Sequence, residues 1–349
     1  MQLEYLLVGL FAFVLTLAMS FLALKLFPKL GLMDRPHKYG LKRAPIPYYG
    51  GLVIFLSFLI AVLCFVPLTK SLIGVLVAGG LLVLVSFLDD KYSLSPFLRL
   101  GVQIAVAVIV VLTGIGIHSL SNPFGAVISL DALVWHWQIG EMMVAISVWS
   151  ALFTVIWLVL LINSMNFADG LNGLSSGVTA IAAFFLFVLS IRPNFHHVNQ
   201  STFAMLALIL FAVALAFVFF DFYPAKMLMG DTGSTFLGFM LAVLAIFSGG
   251  KVATVFLIMG VPILDAFWVI GRRLYNGKWP WQGDLLHLHH RLKDTGFSER
   301  QVVLLLYLLT FLFGLLALLA GTWQKLIVAS LLFGFMFVLG VYLTFRRRV

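Results

Sequence analysis

The sequence predicts an all-α fold, a polytopic membrane helix bundle of about eleven transmembrane helices with cytoplasmic catalytic loops. Three observations carry that prediction. The 349 residues are 62% hydrophobic and only 10% charged, where a soluble domain has about a quarter of its residues charged. Mean hydropathy is +1.12. The apolar residues also fall into runs of the length a bilayer core demands, about 20 residues per helix. Too few polar residues remain for a separate soluble domain, so residues 1–349 form one integral membrane domain.

In chain order the runs are Leu3–Phe27, Tyr48–Val66, Leu72–Leu88, Phe97–Ile117, Met143–Ile162, Leu174–Ile191 and Thr202–Phe220. Thr235–Phe247, Val252–Ile270, Val302–Ala320 and Leu326–Phe345 follow. The first run starts almost at Met1 and has Lys25 and Lys29 behind it. A cleaved signal peptide has its basic region in front, so this run is expected to stay as a span with the N-terminus outside. The segment from Ser234 to Ile270 is too long for one helix, and Gly249-Gly250-Lys251 supplies a turn. Between the fourth and fifth runs, His118–Met142 alternates apolar residues and holds Trp135 and Trp137. That pattern predicts a short hairpin anchored at the membrane interface by its aromatic residues.

Basic residues set the orientation. Connectors after the odd-numbered runs, with the tail Arg346-Arg347-Arg348, hold about eighteen of the Lys and Arg; the opposite connectors hold about four. The basic side is therefore cytoplasmic and the C-terminus lies there. Asp34, Asp89, Asp90, Asp169, Asp221, Asp231, Asp284 and Asp294 fall on that same side, whereas Glu4, Asp131 and Glu141 face outward. Acid and base gathered on one face suggest a reaction surface. The net charge of +9 points to lipid headgroups or phosphates before nucleic acid. Cys64 is the single cysteine, so no internal disulfide forms.

Four polar stretches could carry chemistry. Asn163–Leu174 contains Asn166, Asp169 and Asn172, which would share one face if the turn were helical. Asp89-Asp90 ends the third run, where two carboxylates beside a helix C-terminus call for a cation or a bound proton. Met229-Gly-Asp-Thr-Gly-Ser234 opens the eighth run and makes Asp231 a candidate Mg²⁺ ligand. His287-Leu-His289-His290-Arg291 follows Arg272 and Arg273; a zinc site, a solvated basic loop and a phosphate cradle all fit it, the last best. Asp265, inside the ninth run, is expected to pair with Arg272 on the same helix face. A transporter, the rival class, would place ionisable groups near mid-span, and only Asp265 is even partly there.

Together these stretches resemble the polyprenyl-phosphate N-acetylhexosamine-1-phosphate transferases of glycosyltransferase family 4. Pro45-Ile-Pro-Tyr-Tyr-Gly-Gly51, Asp89-Asp90, Asn166-Phe-Ala-Asp-Gly170, Pro224–Ser234 and Arg272–Lys278 through His287–Leu292 occur in the family's order. The resemblance implies a multi-pass enzyme of the bacterial inner (plasma) membrane. It implies transfer of a sugar-1-phosphate from a UDP-sugar to undecaprenyl phosphate with release of UMP, GlcNAc-1-phosphate being favoured by the ending His-His-Arg-Leu. It implies Mg²⁺, with Mn²⁺ as a substitute, and permits a homodimer. Carried over, Asp231 and Asp169 are metal ligands; Asp89, Asp90, Asp169, His289 and His290 are catalytic. Lys42, Asn166, Asn172, Asp221, Arg272, His287 and Arg291 bind substrate. Asn172 stands where the family usually has Asp, and Asp221 where it usually has Asn, so sugar or nucleotide preference is expected to turn on them.

Overall fold

The computed structural model describes residues 2–36, 43–120, 122, 124–139, 142–192, 200–247, 252–279 and 287–346. Its long helices are α1 (Gln2–Leu26), α2 (Gly50–Phe65), α3 (Lys70–Tyr92), α4 (Pro96–Leu112), α5 (Val148–Ala168), α6 (Leu174–Ser190), α7 (Ser201–Asp221) and α8 (Asp231–Phe247). The short α9 (Val252–Ile258) leads into α10 (Gly260–Tyr275), and after α11 (Leu288–Asp294) come α12 (Glu299–Leu319) and α13 (Thr322–Arg346). Helix starts follow local chemistry. Ser95 caps α4 by accepting from the Leu98 amide at 3.3 Å, just ahead of Pro96, and Ser298 with Gln301 forms a capping box on α12.

The protein is a multi-pass membrane protein. By length and composition six helices can cross a membrane, or seven if α9 and α10, bent by 78°, count as one span. That is fewer than the eleven expected, because α2, α4, α6 and α8 have only 16 or 17 residues each. At 1.5 Å per residue such helices are roughly 25 Å long, short of a ~30 Å core. The expected turn at Gly249-Gly250-Lys251 lies outside the described residues, as do Arg347 and Arg348 of the tail.

The fifth run differs from its sequence boundaries at both ends. Met142–Ser147 is a strand, β4, pairing antiparallel with β3 (Val134–Ile139), so α5 begins at Val148 rather than Met143. The expected hairpin is there, and a smaller ladder, β1 (Ser119–Leu120) with β2 (Ile128–Ser129), precedes it. At its other end α5 continues past Ile162 to Ala168. The amides there have partners: Asn163 Nδ2 donates to Gln103 Oε1 at 2.7 Å and to the Val159 carbonyl at 2.8 Å.

The core is centred on α8, whose residues Thr232–Ile246 are all buried. It packs against α2, α3, α5 and α6. Small residues permit the close approach: a Cβ on Gly238 would lie 2.5 Å from the Leu161 carbonyl oxygen of α5. Because α8 is enclosed on every side, its first residue, Asp231, is held at a fixed place among its neighbours.

Candidate active site

The site begins with a strap. The amides of Gly50 and Gly51 donate to the carbonyls of Leu228 and Met229, both at 2.9 Å, and the Leu228 amide donates to the Pro47 carbonyl at 2.9 Å. This ties Pro45–Gly51 to the segment that opens α8. Gly51 is required by that contact, since a Cβ there would collide with the backbone of Thr232 and Gly233.

Asp90 completes the junction. At the end of α3 it reaches across to the first turn of α8, and its carboxylate accepts from the amides of Asp231 and Thr232, both at 3.0 Å. It also accepts from the Thr232 hydroxyl at 2.6 Å and from the Tyr48 hydroxyl at 3.1 Å. Gly230, at φ 74°, makes room: a Cβ would stand 2.8 Å from Asp90 Oδ2. A helix N-terminus favours an anion, so Asp90 serves here as the cap of α8. Burial and the charges of Asp90, Asp231 and Asp169 push the Tyr48 phenol well up, keeping it a donor.

Asp89, its neighbour, accepts from the Leu94 amide at 2.7 Å and from Arg99 Nη1 at 3.1 Å. Arg99 also lies 3.6 Å from Asp231 Oδ2, and the Asp231 side chain is 37% exposed. Asn166, in the last turn of α5, donates to Ser234 at 3.3 Å. Asp169 caps the end of α5. Burial raises its carboxyl well above the usual range, and the charges of Asp221, Asp231 and Asp90 add to that.

Asp89, Arg99, Asn166, Asp231, Arg273 and His287 lie at the polar part of a cleft of about 710 Å³. Most of the rest of its wall is apolar, from α3 (Leu82, Val85), α4 (Phe97, Leu100, Ile104), α5 (Val155, Ile156, Val159) and α10 (Ala266, Ile270), with Ser86, Gln103, Asn163, Ser164 and Thr235 adding polar atoms. Leu100, Ile104 and Ile156 of this wall are exposed.

Several sequence expectations change here. α5 stops at Ala168, so Asn166, Asp169 and Asn172 do not share a helical face. Asn172 sits in the following turn, with its amide donating to Glu299 at 3.2 Å, outside the cleft lining. Asp221 is buried, accepts from Ser176 at 2.8 Å and also lies outside that lining. Arg273, not Arg272, lines the cleft; it is 4% exposed, with its guanidinium 5.8 Å from the Phe167 ring centre. Arg291 is buried and donates to the Gly340 carbonyl at 2.9 Å, tying α11 to α13. Asp265 binds His287 at 2.9 Å instead of Arg272. Lys42 lies outside the described residues.

The histidines separate in the same way. His287 lines the cleft. His289 is 3% exposed and its Nε2 has no partner; burial above all, then the charges of His290, His287 and Lys293, hold it well below the usual imidazole range. His290 is shifted down less, again by burial first. Among the described residues no three His, Cys, Asp or Glu gather closely enough to hold a metal by themselves. A protein-only zinc site is therefore not formed by these residues. The oxygen donors of Asp231 and Asn166, which line the cleft, with Asp169 outside that lining, instead suit a hard ion that takes most of its ligands from water and phosphate.

Sequence reasoning passed over Arg99, Gln103 and Tyr48. Arg99 and Gln103 had a signal: a cation and an amide four residues apart, alone in the first turns of an apolar run.

Fold and site together define a multi-pass membrane protein with an acidic centre in a largely apolar cleft. The chain belongs to glycosyl transferase family 4, whose model matches residues 72–249. A probable undecaprenyl-phosphate N-acetylglucosaminyl 1-phosphate transferase of Bacillus subtilis (strain 168) is 32% identical, over 88% of this chain and 83% of its own length. A decaprenyl-phosphate N-acetylglucosaminephosphotransferase of Mycolicibacterium smegmatis is 31% identical, over 87% and 79%. An undecaprenyl-phosphate alpha-N-acetylglucosaminyl 1-phosphate transferase of Escherichia coli (strain K12) is 27% identical, over 88% and 82%.

Proposed function

We propose that this protein transfers GlcNAc-1-phosphate from UDP-GlcNAc to undecaprenyl phosphate, releasing UMP, at the cytoplasmic face of a bacterial inner membrane. One observation carries the reading: the apolar cleft between α3, α4, α5 and α10 ends at Arg99, Asn166, Asp231 and His287. An acceptor with a hydrocarbon tail and a phosphate head needs that sequence of environments. The names of the relatives add the polyprenyl acceptor and the GlcNAc-phosphate group. In this reading the four shorter apolar helices and the bent pair also cross, giving eleven spans with the N-terminus outside.

Asp231, with Asp169 and the Asn166 side-chain oxygen, would hold Mg²⁺, which when bound neutralises charge on diphosphate oxygens. The chain's own residues do the rest. Arg99 and Arg273 reduce the repulsion between two phosphate-bearing substrates, and the apolar wall admits the lipid while excluding water from the reacting centre. Phosphoryl transfer asks mostly for such positioning. Asp89, held by Leu94 and Arg99, keeps that guanidinium beside Asp231.

The test is UMP release by purified protein given undecaprenyl phosphate and a panel of UDP-sugars. UDP-GlcNAc should be the preferred donor, and chelation of divalent ions should stop the reaction. Release unaffected by a chelator would refute the metal assignment, and no release from any donor would refute the reaction.

A further inference from the structure

Asp265 is the one carboxylate placed inside the apolar stretch of α10, and it is 8% exposed. Burying an ionised group there is costly unless it is fully hydrogen-bonded. Both oxygens are used. Oδ1 accepts from the Leu288 amide at 2.8 Å, and Oδ2 meets His287 Nδ1 at 2.9 Å. The His287 ring, 7% exposed, lies 5.4 Å from the Phe167 ring and stacks on His289 at 5.7 Å with 5° between planes. Ring position and ring orientation are thus both set by packing.

A carboxylate can only accept, so Nδ1 carries a proton, and in the neutral ring the lone pair is left on Nε2. His287 lines the cleft, and with Nδ1 engaged the polar atom it can offer is Nε2. We infer that Asp265 is a positioning residue that holds His287 with its Nε2 lone pair available to the cleft, where it accepts the proton of the incoming lipid phosphate. This rests on the transferase reading above.

The step balances. A lipid phosphate monoanion gives its proton to Nε2 and becomes a dianion, and one of its oxygens forms a bond to the β-phosphorus of the donor. The bond from that phosphorus to the UMP oxygen breaks, and UMP leaves with the electron pair. The proton on Nε2 then passes to UMP or water. Asp265 stabilises the imidazolium in between without taking its proton. Among the described residues, the charged or titratable groups around the ring are Asp265 and Arg273 on α10, and His289, His290 and Lys293 on α11. Asp89, Arg99 and Asp231 stand in the same cleft.

The experiment compares wild type, Asp265→Asn, His287→Gln and the double variant. An amide can donate to Nδ1, which forces the proton onto Nε2 and removes the acceptor. Asp265→Asn should lower kcat by about 100-fold or more while KM for the UDP-sugar changes less than about threefold. The double variant should be no slower than His287→Gln alone, since the two act as one unit. ¹⁵N spectra of histidine-labelled protein, with His287→Gln providing the assignment, should show His287 protonated on Nδ1 in the wild type and on Nε2 in Asp265→Asn. Multiplicative losses, a kcat within about threefold of wild type, or an Nε2–H tautomer in the wild type would each overturn the inference. The wild-type spectrum decides it even if Asp265→Asn does not fold. If the wild type releases no UMP at all, the transferase reading falls, while the spectra still judge the Asp265–His287 arrangement by itself.

Discussion

The α3–α8 junction and the α10–α11 corner use the same device for different ends. In each, an aspartate from one helix accepts from the first amides of another: Asp90 from Asp231 and Thr232, Asp265 from Leu288. Asp90 has its remaining acceptor capacity taken by Thr232 and Tyr48 hydroxyls. Asp265 gives its second oxygen to His287, a side chain that lines the cleft. A saturated carboxylate holds architecture, and one that shares itself with a titratable ring can pass its influence to a substrate. A matching contrast lies one residue from the first cap. The Asp231 amide is bound to Asp90, but its side chain is 37% exposed and open to the cleft.

Substitutions that separate these roles sharpen the comparison. Asp231→Ala should have the largest effect, lowering UMP release by at least about 1000-fold, with an unchanged melting temperature because the cap acts on its backbone amide. An equal loss of folded protein would erase the distinction between the two neighbouring aspartates. Asp90→Ala should act mainly on stability. It strands two amides and two hydroxyls, each at about 1–3 kcal/mol, so the melting temperature should fall by many degrees and activity should fall with it. Asp90→Asn with unaltered melting but abolished turnover would move Asp90 from architecture to chemistry. Arg273→Ala should reduce kcat/KM about tenfold and Arg272→Ala by less than about threefold, because only Arg273 lines the cleft. The reverse order would break the reading of this corner.

Much of this was legible from residue order. Hydropathy located every long helix, and Asp90, Asp231 and Asn166 meet at one end of the bundle as the one-sided carboxylates suggested. The misses share a cause. The partner of Asp265 is 22 residues away and that of Asp90 is 141, and helical spacing reports only contacts within a helix. The same limit favoured Arg272 as the partner of Asp265, where the structure has His287. Met143–Ser147 looked like the start of a span because apolar residues in a strand and in a helix give the same hydropathy. Its pairing with Val134–Ile139 decides the matter.

Glu299 gives the smallest and most discriminating test of where architecture ends. One oxygen accepts from the Asn172 amide at 3.2 Å, and the other stands 3.7 Å from Lys293, whose side chain is 41% exposed. An exposed ion pair contributes about 0–1 kcal/mol, so Glu299→Gln, which keeps an acceptor for Asn172, should shift the melting temperature by no more than a few degrees. Glu299→Ala removes the acceptor as well and frees the turn that follows Asp169. If that turn only supports the fold, the two variants should differ in melting temperature and hardly at all in UDP-sugar preference. A changed sugar preference in Glu299→Ala alone would mean that the Asn172 turn reaches the donor substrate, and would carry the site beyond the cleft between α3, α4, α5 and α10.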